Sequence, residues 1–362
     1  MQGTGKLLAK FWAVSAVYIR VAVLSVVSNI KGPPATAGEP EFLPPAAKAA
    51  AAGAASLALL CVAVRRTGRS AAARGDEPHI VPLMGVMGAF VFAAQMVNFA
   101  IPGTGSSGHL VGGILLAAML GPWAAFATLA SVLVLQCLLF ADGGLLALGC
   151  NILNMAALSC LAAYPLVFRP LVSRSATNGR IAAASVAASV AALVLGAAAV
   201  TLETEASGIT ALPAGRFLLF MLPIHLLIGL CEGAATAALL CTVKRHRPRL
   251  LADLRRDEPQ GRARIGTTIA AIAAAALLIG GVCARFASDA PDGLEWSIER
   301  TAGDRALRPA TDGAHRRAAE MQTHTALMPG YETSLAGIVG SGAIVATAFG
   351  ITCLVRPRRK RS

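Results

Sequence analysis

Long apolar runs, separated by short polar segments, follow one another along the chain from about residue 45 onward. A helix that crosses the hydrocarbon core of a bilayer needs about 20 mostly apolar residues. Eight runs reach or approach this length, and they lie at 45–64, 80–100, 123–140, 145–168, 181–202, 216–243, 265–287 and 335–355. The pattern therefore predicts an all-α polytopic membrane protein.

A ninth apolar run, at 110–120, is too short to cross the bilayer core unaided. As a helix, this run would rise only about 17 Å, against a core thickness of about 30 Å. Gly121 and Pro122 follow it directly. We expect a short or broken helix here, which brings the number of helical segments to nine.

Composition agrees with a membrane protein and adds an orientation. Of the 362 residues, 56% are hydrophobic and only 14% are charged, whereas about 25% are charged in soluble domains. Clusters of arginine and lysine lie at 65–74, 169–180, 244–256 and 356–361. All four clusters lie on one side if the short run counts as a crossing, and the positive-inside rule makes that side cytoplasmic. We expect a plasma-membrane protein with its mature N-terminus outside and its C-terminus inside; the net charge of +13 then reflects topology, not nucleic-acid binding.

The first 37 residues have the outline of a secretory signal peptide. Three cations among the first 20 residues precede a short apolar stretch at 21–27, and the sequence ATA at 35–37 has the small-x-small form of a cleavage site. Cleavage after Ala37 would leave Gly38 at an external N-terminus. An uncleaved extra N-terminal helix is the alternative.

Two glycine-rich loops interrupt the apolar pattern on the predicted outer side. The first reads VNFAIPGTGSSGHLVGG at 97–113 and contains His109; the second reads FADGG at 140–144. Irregular backbone at membrane depth must be buried in protein or line a wet cavity, because hydrocarbon offers its polar groups no partner. The two loops therefore predict a shallow external pocket in which the His109 imidazole is available as a ligand.

These loops also carry a family resemblance. AAQMVNFAIPGTGSSGHLVGGILLAAMLGPWAA, followed by LLFADGGLLALGCNILNMA, resembles CbiM/NikM, the substrate-binding components of energy-coupling-factor transporters for cobalt and nickel. The segment PIHLLIGLCEGAATAALL at 223–240 resembles the last core helix of that family. The resemblance extends over about residues 38–245 and implies a membrane domain of about seven helices.

A second resemblance begins after this core. ASDAPDGLEWSIER and MPGYETSLAGIVGS resemble the PDGLE domain, which is related to the small CbiN subunit of the same transporters. It implies two C-terminal transmembrane helices around an extracytoplasmic loop. The expected divisions are a CbiM-like domain at 38–245, a basic cytoplasmic linker at 246–264, a PDGLE domain at 265–356 with its loop at 288–334, and a basic tail at 357–362.

The resemblance implies a transported Co(II) or Ni(II) ion as substrate and no permanently bound cofactor. In the family, the extreme N-terminus and the histidine of the SGHL loop hold the ion, so His109 is the matching ligand; nitrogen donors suit these late first-row metals. The family opens with MHIPDGFL, whereas this chain reads GEPEFL at 38–43 and lacks that second histidine. We therefore expect a site made from the Gly38 amine, the Glu39 carboxylate and His109, with a weaker preference for nickel because carboxylate is the harder donor.

Two ionisable residues occur within the apolar run that matches the last core helix. His225 and Glu232 are seven positions apart, so they share one helix face. An ionisable group in a transmembrane segment normally faces the bundle interior. We expect a structural hydrogen-bonded pair in preference to a second metal site.

Four more polar residues lie beside the two loops. Asn98, Asn151 and Asn154 are expected to satisfy loop backbone groups and to orient the imidazole. Asp142 is expected to cap the helix that begins near Leu145; a role in the folding of its loop is the alternative.

The resemblance also implies partners, namely a transmembrane coupling protein and cytoplasmic ATPases. The sequence contains no G-x-x-x-x-G-K-[ST] motif, so ATP hydrolysis must come from another chain. A membrane enzyme is disfavoured, because Ser107 and His109 have no third catalytic partner at a recognisable spacing. The main alternative is a degenerate, non-transporting metal-sensing or interaction protein, because the N-terminal ligand set is altered.

Overall fold

The computed structural model describes residues 45–74, 77–173, 175–207, 212–252, 265–303, 313–329 and 334–355. The expected signal peptide, Gly38 and Glu39 lie outside the described residues, as does the C-terminal tail. In the described ranges the helices are α1 (Pro45–Arg74), α2 (Glu77–Gln95), α3 (Gly113–Leu120), α4 (Pro122–Phe140), α5 (Leu148–Ser173), α6 (Asn178–Ser207), α7 (Ala214–His246), α8 (Ile265–Gly281), α9 (Gly293–Ala302), α10 (Gly313–Thr325) and α11 (Ser334–Val355). Strands β1 (Phe99–Ile101) and β2 (Ser106–Gly108) pair as an antiparallel hairpin.

Six of the described helices, α1 and α4 to α8, are long and apolar enough to cross a membrane. Helices α2 and α11 contribute the shorter apolar stretches Ile80–Gln95 and Leu335–Ala346. The predicted all-α polytopic membrane architecture is therefore confirmed.

The short apolar run forms the short helix expected from its length. All eight residues of α3 are buried, and the helix ends at Gly121. Pro122 then occupies the first turn of α4, where its missing N–H breaks no intrahelical hydrogen bond. Helix α3 therefore ends inside the bundle, and α4 begins directly after it. The hairpin precedes the buried N-terminal end of α3.

Helix α4 forms the centre of the bundle. Within its apolar window, 72% of the residues are buried, against 11% for the window that contains α8. Helices α6 and α7 pack against each other along their length, while α8 and α11 pack on α2. The core helices therefore surround α4, whereas α8 keeps most of its surface for the lipid.

Several helices run past the ends of their apolar runs. Helix α1 continues to Arg74, and α5 continues to Ser173 with its central part, Ile152–Phe168, wound as a π-helix. Helix α6 continues to Ser207 and therefore includes Glu203, which lies just after the apolar run at 181–202. An apolar run indicates the part of a helix that lies in the hydrocarbon core of the bilayer. The helix itself continues beyond this part through polar residues.

Candidate functional site

A cavity of about 230 Å³ lies between the hairpin, helices α4 to α7 and the start of α9. Its lining combines apolar side chains from the bundle with polar groups from all sides. The side chains with ionisable, amide or hydroxyl groups are His109, Gln136, Asp142, Asn151, Asn154, Ser159, His225 and Asp292. The structure therefore contains the predicted pocket around His109. Helices α6 and α7 and the start of α9 line this pocket in addition to the two loops.

His109 follows strand β2 and reaches the cavity from the hairpin. The preceding residue, Gly108, packs so closely on α7 that a Cβ atom there would lie 2.6 Å from Cγ1 of Ile228. Nδ1 of His109 lies 3.3 Å from the Leu110 carbonyl oxygen. When Nδ1 carries the proton for this contact, the Nε2 lone pair is available to a metal ion.

The loop after His109 is bound to helix α7 by one side chain. The Glu232 carboxylate accepts hydrogen bonds from the backbone amides of Val111 and Gly112, at 2.8 and 3.1 Å. Gly112 has φ +78° and ψ 4°, a left-handed conformation that side chains rarely adopt. Glu232 itself is only 1% exposed.

His225 lines the same cavity but does not form the expected pair with Glu232. Its Nδ1 lies 2.8 Å from the Met221 carbonyl oxygen, one turn earlier in α7, whereas Glu232 binds the loop amides. The expectation of a direct hydrogen bond between them is therefore wrong in the described structure. The shared helix face is correct, but backbone groups satisfy each side chain separately.

The polar residues near the loops have roles that differ from the expected ones. Asn154 donates from Nδ2 to Glu203 Oε2 at 2.7 Å, while Asn151 lies against Gly143. Both line the cavity. Asn98 uses its backbone oxygen, which accepts a hydrogen bond from the Ser288 amide at 2.8 Å.

The expectation that Asp142 caps a helix is wrong. Helix α5 begins at Leu148, its N-cap residue is Ala147, and no side chain caps it. The glycines after Asp142 delay the start of the helix, so the Asp142 carboxylate is too far along the chain to reach the first-turn amides. Asp142 lines the cavity instead.

The cavity is closed from above by residues 288–302, the turn that precedes α9 together with α9, which we call the roof. The Pro291 carbonyl accepts a hydrogen bond from the Ser107 amide at 2.8 Å, and the Ala290 carbonyl accepts one from Ser107 Oγ at 2.7 Å. Nε1 of Trp296 donates to the Thr104 carbonyl at 3.0 Å. The roof therefore lies along the outer edge of strand β2, two residues before His109.

Asp292 of the PDGLE sequence has two structural roles. Asp292 Oδ1 accepts hydrogen bonds from the Leu294 and Glu295 amides and so caps α9, and the residue also lines the cavity. Gly293 packs on α7, where a Cβ atom would lie 3.0 Å from Ile228 Cδ1 and 3.3 Å from His225 Cε1. The capping residue Asp292, followed directly by the small residue Gly293, thus lets the roof pack closely against α7.

A second contact joins the C-terminal segment to the FADGG loop. Gln322, on α10, donates from Nε2 to the Gly143 carbonyl at 2.7 Å and to the Cys137 carbonyl at 3.1 Å. Both glycine-rich loops therefore contact residues 288–329. The two loops and the PDGLE sequence were each identified as motifs, whereas α10 was not, and no signal in the sequence indicated that these segments touch.

The structure brings together His109, Asp142, Asn151, Asn154 and His225, and it places Glu232 directly beneath the His109 loop. The side chain of Asn98 is not part of the cavity lining. Among the described residues, no group of three or more His, Cys, Asp or Glu side chains is arranged to hold a metal ion. Gly38 and Glu39, the other two expected ligands, lie outside that part of the chain.

Fold and cavity together define a multi-pass α-helical membrane protein with a polar chamber closed by a C-terminal segment. Two family models match the chain: the cobalt uptake substrate-specific transmembrane region (CbiM) over residues 39–250, and the PDGLE domain over residues 266–357. The first match covers more than half of the chain, so the chain belongs to the CbiM family and carries a PDGLE domain. The resemblance inferred from the SGHL, FADGG and PDGLE segments is confirmed.

Relatives share this fused arrangement or parts of it. A putative fused nickel transport protein NikMN of Archaeoglobus fulgidus is 32% identical over 301 residues, which cover 78% of this chain and 89% of the relative. A putative metal transport protein of Haloquadratum walsbyi is 36% identical over 179 residues, or 49% of this chain and 77% of the relative. The crystal structure of a truncated transition metal transporter is 30% identical, covers 57% of this chain and 98% of that chain, and superimposes with a TM-score of 0.47.

Proposed function

We propose that this chain captures Co(II) or Ni(II) as the substrate-binding membrane component of an energy-coupling-factor importer. The observation that carries the proposal is the position of His109, whose imidazole reaches a closed polar cavity in a member of the cobalt-uptake family. An imidazole nitrogen is a suitable donor for late first-row divalent ions and a poor one for Mg(II) or Ca(II). The nickel transport relative supports the same class of substrate.

His109 alone cannot hold an ion tightly, so further donors must join it. We propose that the N-terminus of the mature protein enters the cavity and supplies the Gly38 amine and the Glu39 carboxylate. The resulting site has two nitrogen donors and one oxygen donor. Such a site should accept Co(II) readily and discriminate less sharply in favour of Ni(II).

The roof has a place in this mechanism as the outer gate. It covers the cavity on the side where the hairpin carries His109, and the expected orientation makes that side extracytoplasmic. An ion therefore enters when the roof is lifted and is shielded from water when the roof returns. Assistance in metal capture by the PDGLE domain follows from this position.

Release of the ion to the cytoplasm needs an energy source outside this chain. We propose that a transmembrane coupling protein and cytoplasmic ATPases supply it, with the C-terminus on their side of the plasma membrane. Reorientation shifts the population of bundle conformations and involves no covalent chemistry on the metal. The chain acts as a transporter subunit and not as an enzyme.

The test is metal binding by the purified protein, produced with an affinity tag that contains no histidine. Intact mass and N-terminal sequencing first establish whether the mature chain starts at Gly38. Calorimetric titration with Co(II) and Ni(II) should then give one ion per chain for the wild type. Loss of a direct ligand in His109→Ala should weaken binding by more than the roughly 10- to 100-fold typical of outer-shell changes.

His246→Ala serves as the matched control. His246 is exposed at the end of α7, 21 residues after His225, which is about 30 Å along a helix. The His246→Ala variant should bind metal like the wild type. Equal binding by His109→Ala and the wild type would exclude His109 as a ligand, and no binding by any of the three proteins would support the degenerate, non-transporting alternative.

A further inference from the structure

The loop that carries His109 separates the polar cavity from a second, apolar groove. His109 and Val111 line the polar cavity, whereas Leu110 and Gly112 line an apolar groove of about 470 Å³ bordered by α2, α7 and α8. Val111 and Gly112 are nevertheless buried, and Gln95 Nε2 donates a hydrogen bond to the Val111 carbonyl at 3.0 Å. Because water is excluded from this segment, its backbone amides also need acceptors within the protein.

Glu232 supplies two of these hydrogen bonds from a single carboxylate. Oε2 accepts from the Val111 amide at 2.8 Å and Oε1 accepts from the Gly112 amide at 3.1 Å. The left-handed conformation of Gly112 turns the two successive amides toward the same point, and successive amides arranged in this way form an anion-binding concavity. The Glu232 carboxylate occupies this concavity from below, on helix α7.

The electrostatic surroundings of Glu232 are unusual for a purely structural carboxylate. In the part of the chain that the structure describes, no arginine or lysine pairs with it. The Val111 amide that it binds lies two positions after His109. An ionisable residue buried within a transmembrane helix is costly to insert, and such residues commonly mark substrate or ion sites.

We propose that Glu232 is the positioning residue of the His109 metal site. Its carboxylate binds the loop through the Val111 and Gly112 amides, which aims the imidazole into the cavity. This inference rests on the proposed function, because it concerns how the same ion is held.

The test compares Glu232→Gln with wild type by Co(II) titration and by the ligand-field absorption spectrum of bound Co(II). Glutamine keeps the size of the side chain, but it has one acceptor oxygen and turns an NH2 group toward an amide that needs an acceptor. We expect Co(II) affinity to fall by about 10- to 100-fold, as for other outer-shell partners. The spectrum of the remaining complex should shift, because the imidazole is no longer held at the same angle.

Thr236→Val is the matched control. Thr236 lies one turn after Glu232 on α7, is 3% exposed and borders the same apolar groove, but neither loop amide binds it. The Thr236→Val variant should keep both the Co(II) affinity and the Co(II) spectrum of the wild type. If Glu232→Gln does not fold, Glu232→Asp retains the carboxyl group on a shorter side chain, and it should still show weaker binding and a shifted spectrum.

Wild-type affinity and spectrum in a folded Glu232 variant that has lost only thermal stability would overturn the proposal, because a merely structural role predicts that result. The same holds if Thr236→Val weakens binding as much as Glu232→Gln. The proposed function fails separately, when His109→Ala binds Co(II) like the wild type. An effect of His109→Ala without any effect at Glu232 would refute only the positioning role.

Discussion

The two sides of the cavity are built in different ways. The side that we call the floor consists of the hairpin loop, residues 108–112, and helices α4 to α7, and it is held by buried side chains. Glu232 is 1% exposed, Gln136 is 5% exposed and Asn154 is 7% exposed, and each forms hydrogen bonds inside the bundle. The roof is held by backbone carbonyl groups that accept hydrogen bonds from Ser107, by the Trp296 indole N–H, and by the edge-to-face packing of Trp296 on Phe220.

This difference indicates which side can move. A change in the floor disturbs helices that pack on the central helix α4, so the floor must keep one geometry. The roof comes from residues more than 180 positions away along the chain, and the Leu294 side chain at its front is 37% exposed. Opening the roof breaks its docking contacts and leaves the helices of the floor packed, so we expect an ion to enter the cavity from the roof side.

The largest effect on stability is expected from a change in the floor, Gly112→Ala. The new methyl group would lie 2.7 Å from Val91 Cγ1, in a residue with φ +78°. A left-handed conformation costs a non-glycine residue about 1–2 kcal/mol, and overpacking adds about 1–3 kcal/mol. Thermal unfolding in detergent should show a clear loss of stability, together with weaker Co(II) binding at the displaced His109.

Gly103→Ala separates the two causes of that loss. Gly103 lies in the hairpin turn with φ +76°, and no atom lies within 4 Å of the position of its Cβ. This variant should therefore lose only the conformational part of the stability. An equal loss in both variants would show that contact with Val91 does not limit the floor.

An intermediate effect is expected from a change in the roof, Gly293→Leu. A side chain at this position meets Ile228 and His225 on α7, so the roof cannot descend fully onto the cavity. Overpacking of about 1–3 kcal/mol shifts a docking equilibrium by roughly tenfold or more. Limited trypsin digestion should cut after Arg300 faster than in the wild type, while the thermal midpoint of the bundle stays unchanged.

Gly313→Leu is the control for this prediction, because it places a leucine side chain in the C-terminal segment but outside the roof. Gly313 begins α10 and has open space around the position of its Cβ, so the rate of cleavage after Arg300 should match that of the wild type. Faster cleavage in this control too, or a lower bundle midpoint in Gly293→Leu, would contradict a separately movable roof.

The sequence predicted the floor better than the roof, for a physical reason. Apolar run lengths are local properties, so they predicted the membrane helices and the truncated helix α3. The glycine-rich composition around His109 predicted a cavity, because backbone in a membrane must be satisfied. The contact between Ser107 and Pro291 joins strand β2 to the turn before α9 across 184 positions, and neither segment contains a pattern that specifies the other.

Asp142 caps no helix because α5 begins only at Leu148, and it lines the cavity instead. His225 and Glu232 were correctly placed on one helix face, but each was expected to bind the other. Backbone groups took these roles: the Met221 carbonyl for His225 and two loop amides for Glu232. Backbone groups are present at every position, so residue types alone give no indication of where one will be exposed.

The smallest effect is expected from the charge on the outer surface of the roof. Partial burial, and next the nearby Asp292 carboxylate, raise the pKa of Glu295 above its ordinary value. A carboxyl group whose pKa is raised by folding destabilises the folded state at pH values above that pKa, and the penalty disappears as the pH falls below the unfolded pKa. Glu295→Gln should therefore slightly raise the thermal midpoint at neutral pH and leave it unchanged under acidic conditions. Glu320→Gln removes the same charge from α10, where Glu320 pairs with Arg316 at 4.0 Å; a stabilisation of equal size there would mean that net charge, and not the position of Glu295 in the roof, causes the effect.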